Sequence, residues 1–264
     1  MLIDFHTHAF PDKIAAKAME RLSYASGGLE NQTDGTVDGI RDSMRRFDVD
    51  VSVVLGIATN AHQQKSVNDF AASINDRKSI FAFGSVYPDS EDALFELERI
   101  KELGLLGVKF HPEYQRFLVD EEKMRPIYRK ISELGLICVF HTGEDIGFPP
   151  PYGAMPDRME RALRYFDSPV VAAHLGGVGC SAAVLKHLAG KEGLYLDTAF
   201  SYGTVPKYYI EKIIECHGAD KILFGTDTPW HSPWMEKKML ASLSLTDEEI
   251  ALITHKNALK LLFK

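Results

Sequence analysis

Five residues of metal-binding types each stand where an apolar run gives out. His6 and His8 close the run IDFHTH, His141 follows ICVF, His174 follows PVVAA, and Asp227 lies in GTDTPW. Side chains alternate along a strand, so His6 and His8 point the same way and both imidazoles can reach one ion. Imidazoles with a carboxylate suit Zn²⁺ first, with Mn²⁺, Fe²⁺ or Co²⁺ as alternatives. A lone HxH is more often two polar residues at a strand end, and a lone His a hydrogen-bonded core residue. Here four histidines and one aspartate recur at equivalent points, which makes a shared site the expectation.

To bring such a set together, several strands must converge at their ends. Eight short runs read as strands: Leu2–His6, Val51–Leu55, Ile80–Val86, Leu106–Phe110, Ile137–His141, Val170–His174, Leu194–Asp197 and Ile222–Thr226. Runs such as VSVVL and ICVF are nearly continuous apolar stretches, as expected of parallel strands covered on both faces. The segments between them have helical spacing; in Asp92–Glu102 an apolar side separates from a charged one. Gly104 and Gly135 suit the left-handed position just past two helices, and Thr246-Asp247-Glu248-Glu249 opens the last helix with a capping-box pattern. The expected fold is α/β: one (β/α)8 TIM-type barrel, residues 1–264 as a single domain, with the site at the C-terminal ends of the strands. An open doubly wound sheet would instead concentrate its polar residues at a switch point. The segment GFPPPYG after the fifth run reads as a stiff loop over the barrel mouth.

Composition narrows the class. The chain has 264 residues, close to the size of about 250 at which α/β barrels form one domain. Lys+Arg number 30 against 37 Asp+Glu, a net charge of −7, which argues against a nucleic-acid partner. Hydrophobic content of 45% and charged content of 25% fit a globular chain. No apolar stretch is long enough to span a membrane, and MLIDFHTH lacks the basic and apolar parts of a signal peptide. Three cysteines, an odd number without a CxxC pair, point to a reducing cytoplasm. The expected partner is a small-molecule substrate.

The motifs IDFHTH, GVKFHP, FHTG, AHLGG and GTDTPW, in that order, resemble the amidohydrolase superfamily, and the final NALKLLF resembles its last helix. The nearest branch is the amidohydrolase-related group that includes aminocarboxymuconate-semialdehyde decarboxylase-like enzymes. The resemblance covers nearly the whole chain. It implies that His6, His8, His141 and Asp227 hold one divalent metal, and that His174 sits beside the metal-bound water as acid/base or electrostatic anchor. It also implies a homodimer. A metal-bound water with a pKa near about 7 is a nucleophile at neutral pH; Asp227 would take its proton and pass it on, while His174 would stabilise the oxyanion. The leading expectation is therefore a metal-dependent hydrolase of an ester, lactone or amide bond in a small carboxylated or cyclic substrate. The alternative is a non-oxidative decarboxylase with the same metal site.

Other residues carry weaker signals. Lys109 and His111 share a face of the fourth run and are read as substrate-side groups, with Lys109 paired to Asp4 in the barrel interior. A bridging carbamate on Lys109, as in two-metal relatives, is the less favoured reading. Phe148, Tyr152 and Trp230 follow strands and could line a pocket for a flat substrate, although many such aromatics only pack loops. Glu113, Glu144 and Asp145 are read as solvated loop carboxylates. A Schiff base on Lys109 or a barrel that only binds its ligand would leave the aligned histidines, or the His174–Asp227 pair, unexplained.

Overall fold

The computed structural model describes residues 1–263. Eight parallel strands run in chain order: β1 (Ile3–Thr7), β2 (Val51–Leu55), β3 (Ile80–Phe83), β4 (Gly107–Phe110), β5 (Ile137–Phe140), β6 (Val170–Ala172), β7 (Leu194–Asp197) and β8 (Ile222–Leu223). Ladders join β1-β2-β3 and β4 through β8. A bridge between Gly84 and Val108 links the two sheets on one side, and Thr7 bridges to Thr228 on the other. At that second seam the Phe5 N–H donates to Phe224 O and the Asp227 N–H to His6 O, both at 2.8 Å. The sheet therefore closes into the expected barrel.

Strand alternation sorts the apolar residues into two layers. Phe5, Val53, Phe83, Val139, Val171 and Leu223 fill the barrel, and Ala258, Leu261 and Leu262 of the terminal helix Asn257–Leu262 pack against them. Val54, Ala82, Phe110, Phe140 and Leu196 face outward onto helical residues such as Ile100, Ile131 and Ile213. Local signals set the helix ends. Thr36 accepts from the Gly39 N–H at the start of Val37–Phe47, and Thr246 with Glu249 forms the capping box expected from sequence. Among the described residues no helix is long and apolar enough to cross a membrane.

Several expectations about the strands need correction: β3 ends at Phe83 rather than Val86, and β6 at Ala172 rather than His174. The eighth strand ends at Leu223 rather than Thr226, because Phe224 turns its N–H to Ile253 O (2.9 Å) instead of continuing the ladder. In β1 the register against β2 slips between Asp4 and Thr7, so strict alternation fails there. The Asp4 carboxylate accepts from the Thr226 N–H, the Thr226 hydroxyl (2.7 Å) and the His6 N–H, tying β1 to the chain after β8. It is not the partner of Lys109. Burial pushes Asp4 up to about 8.

Away from the barrel mouth, His217 is a structural histidine. Its Nε2 lies 3.0 Å from Leu194 O, and its Nδ1 accepts from the Gly190 N–H. Burial, helped by Lys221, lowers it to about 4 from 6.5. The unfolded chain then binds a proton near pH 6.5 that the folded chain refuses until near pH 4. Stability conferred by the neutral ring is fully present above pH 6.5 and falls as pH drops through that window, by about 1.4 kcal/mol per pH unit at most. Urea denaturation at several pH values should show a shallower acid limb for His217→Gln, whose amide can make both hydrogen bonds, than for the wild type. Parallel acid limbs would contradict this role.

Candidate active site

Closure of the barrel between β8 and β1 sets a carboxylate against two imidazoles. Asp227 Oδ1 lies 3.1 Å from His8 Nε2 and 3.3 Å from His6 Nε2. The opposite nitrogens of both rings are engaged: His6 Nδ1 with Asp197 Oδ2 and His8 Nδ1 with Leu55 O, each at 2.8 Å. Since Leu55 O and a carboxylate can only accept, each Nδ1 carries a proton, and the Nε2 atoms are the ones turned toward Asp227. One donor atom from each of His6, His8 and Asp227 lies within 4.8 Å of the others. Two imidazole lone pairs and a carboxylate oxygen, each ring held from behind, are a donor set that fits a divalent ion.

His141 and His174 complete the cluster from β5 and β6. His141 Nδ1 lies 3.0 Å from His174 Nε2, and the rings of His6 and His174 are 5.2 Å apart. His141 Nε2 points to Glu144 O at 3.3 Å, and His174 Nδ1 to Ala199 O at 3.1 Å. The structure thus gathers His6, His8 and Asp227 at ligating distance, with His174 beside His6 and His141 beyond it, against His174 and stacked on His111. Glycines permit the approach. A Cβ at Gly225 would sit 2.9 Å from His6 Cβ, and one at Gly143 would sit 2.3 Å from the backbone of Val178.

The electrostatics suit ligation. Burial alone would raise Asp227, but the His8 hydrogen bond and the fields of His6 and His174 outweigh it and hold the group below the usual carboxylate range. Burial lowers His6 and His141 well below the ordinary imidazole value, reinforced by Lys109 and by His111 respectively. They are neutral, as ligands must be. The backbone is strained at the same place: Asp227 (φ 68°), His174 (φ 59°) and Leu175 (φ 52°) are left-handed, at a cost of about 1–3 kcal/mol each. At Asp227 the strain is held by its N–H bond to His6 O and by the Trp230 N–H donating to its carbonyl, both 2.8 Å.

A cavity of about 140 Å³ opens over the cluster. His8, His141, His174 and Asp227 form its floor, and Phe10, Tyr114, Phe200 and Trp230 stand around it. Of the residues expected to meet substrate, His111 and Trp230 line the cavity. Lys109 does not; it is fully buried with Nζ 3.3 Å from His6 Nε2, and burial, opposed by Asp197 and Asp227, lowers it to about 8. Phe148 stands behind Tyr114 with ring centroids 4.9 Å apart, and Tyr152 lies outside the lining. Sequence reasoning passed over Asp197, although LYLD ends a strand in a carboxylate and the strand-end rule could have found it. Phe10, Tyr114 and Phe200 carried no periodic signal.

A family model described as Amidohydrolase matches residues 3–264. The chain belongs to the amidohydrolase family. No curated protein matches the sequence. Among solved structures, an uncharacterized TIM-barrel protein from Bordetella bronchiseptica superposes with a TM-score of 0.79 at 20% identity, over 99% of this chain and 98% of that one. A 2,6-dihydroxybenzoate decarboxylase complexed with 2,6-dihydroxybenzoate gives 0.74 at 15% identity, over 99% and 98%. A dihydroxybenzoic acid decarboxylase from a Polaromonas species, with bound manganese and the inhibitor 2-nitroresorcinol, gives 0.74 at 16%, over 99% and 96%. At these identities the likeness of this amidohydrolase-family chain to the solved structures is one of fold.

Asp197 is the group behind His6, so its replacement should be felt through that ring. In Asp197→Asn, Mn²⁺ affinity measured by calorimetry is expected to fall about 10–100-fold, with the circular dichroism spectrum unchanged. Unaltered affinity would show that Asp197 does not orient a ligand.

Proposed function

We propose that this protein is a metal-dependent, non-oxidative decarboxylase of a small carboxylic acid carried on a single ring. The observation that carries the reading is the cavity. Its volume of about 140 Å³ is close to the size, about 150 Å³, at which a protein cavity takes up benzene. Phe10, Tyr114, Phe200 and Trp230 stand in its wall among aliphatic residues such as Leu22, Leu29 and Ile57, and its floor is the histidine–aspartate cluster. Two of the similar solved structures are decarboxylases of dihydroxybenzoates, which agrees with that shape.

In this reading His6, His8, His141 and Asp227 hold one divalent ion. When bound, that ion supplies a fixed positive charge for the substrate's carboxylate and neighbouring oxygen. The chain does the rest. Phe200, Tyr114 and Trp230 confine the ring and exclude water. His111 borders the same space. The bond between the ring carbon and the carboxyl carbon breaks, its electron pair stays on the ring, and carbon dioxide leaves. The ring carbon takes one proton, relayed from solvent by His174 with Asp227 beside it.

Hydrolysis of an ester, lactone or amide is the second reading. It is favoured by one feature: Asp227 is held as a carboxylate beside His174, as a base for water would need to be. The two are separated by assaying manganese-loaded protein with hydroxybenzoates, and with aryl esters and lactones in ¹⁸O-water. Carbon dioxide release with an unlabelled arene product is expected, and Asp227→Asn should lose a factor of about 10²–10⁴ in kcat. Label entering the product would establish the hydrolase instead. A fully active Asp227→Asn would overturn the assignment of Asp227 in either reaction.

A further inference from the structure

On the far side of His141 lies a second cluster that the proposed chemistry does not use. His111, Glu113 and Asp145 gather beside His141, and one donor atom from each of the four lies within 4.8 Å of the others. His111 stacks on His141, with centroids 4.2 Å apart and planes 12° from parallel. His111 Nδ1 is 3.3 Å from Glu113 Oε2, and its Nε2 is 3.2 Å from Asp145 Oδ2. The His111 and Glu113 side chains are only 8% and 4% exposed. Even so, His111 Nδ1 and Glu113 Oε2 have no hydrogen-bond partner; they face each other without the alignment a hydrogen bond needs. Glu113 cannot turn away, because its Oε1 accepts from the Gly153 N–H at 2.8 Å.

Orphaned polar atoms buried at such close range are costly unless something binds them. Two carboxylates beside one imidazole carry two negative charges, the balance a divalent ion requires. We propose that His111, Glu113 and Asp145 form a second divalent-cation site, distinct from the one made by His6, His8 and Asp227. One nitrogen with two carboxylates is richer in oxygen than the first cluster and favours Mn²⁺-like ions. Both His111 and Asp145 border the cavity, so the ion can enter from it and its remaining positions are open to water or to substrate oxygens. His141 Nε2 lies 3.3 Å from Glu144 O and 3.7 Å from Asp145 Oδ2, so the ring stands as the wall between the two sites. The inference concerns binding alone and does not depend on which reaction the protein performs.

The competing arrangement is a protonated His111 that neutralises the two carboxylates by itself. Equilibrium dialysis against excess Mn²⁺, followed by elemental analysis, separates the two. The wild type should hold two ions per chain, Glu113→Gln one, and His8→Ala one. Asp145→Asn, with the fold checked by circular dichroism, guards against a variant that fails to fold, and should also hold one. A wild type with one ion would overturn the second site and leave the imidazolium in its place. Two ions retained in both Glu113→Gln and Asp145→Asn would place the second ion elsewhere and overturn it equally. A wild type with none would remove the first site together with the second, whereas loss confined to His8→Ala tests the first site alone.

Discussion

The contact on which the site depends is made at the seam where the barrel closes. Asp227 comes from the chain after β8 and His6 and His8 from β1, at opposite ends of the sequence. They meet because the Asp227 N–H bonds to His6 O as part of that closure. A carboxylate oxygen then lies against two imidazole nitrogens in a space from which most water has been removed. Such a cluster would be unfavourable if each group were left to itself. It holds because every ring is tied from behind, His6 by Asp197, His8 by Leu55 O and His174 by Ala199 O. The left-handed backbone at Asp227 and His174 is the local strain that this arrangement keeps in place.

Much of this was legible in the residues. Each strand is a short apolar run, and parallel strands buried on both faces read that way, so the count and order of the strands follow from hydrophobicity alone. The five polar residues stand out because each interrupts such a run at its end. The detail that alternation could not supply lies at β1. A register slip falls between Asp4 and Thr7, Asp4 is bound by Thr226, and Lys109, expected to pair with it, lies against His6 instead. Phe10, Tyr114 and Phe200 come to the cavity from loops and short turns, where no period marks them. Asp145 and Glu113 looked like solvated loop carboxylates; only the folding of their loops places both against His111.

A family and a fold fix less than the reaction. The two proposed readings, hydrolysis and decarboxylation, both rest on the same histidines and aspartate, so those residues do not choose between them. The choice falls to the space above the cluster, a cavity of about 140 Å³ where Phe10, Tyr114, Phe200 and Trp230 stand among aliphatic side chains such as Leu22, Leu29 and Ile57. Loops after several strands build that space while the barrel beneath carries the load of positioning. The division agrees with a barrel kept at 15–20% identity to its structural neighbours.

The central claim is that His6, His8, His141 and Asp227 converge on one divalent ion. A crystal of the protein grown with Mn²⁺, measured at the manganese edge, tests it most directly. The account predicts an anomalous peak bounded by His6 Nε2, His8 Nε2, His141 Nδ1 and Asp227 Oδ1, with Lys109 Nζ displaced from His6. Density at the barrel mouth without a peak among those four atoms, and Lys109 still against His6 Nε2, would contradict it.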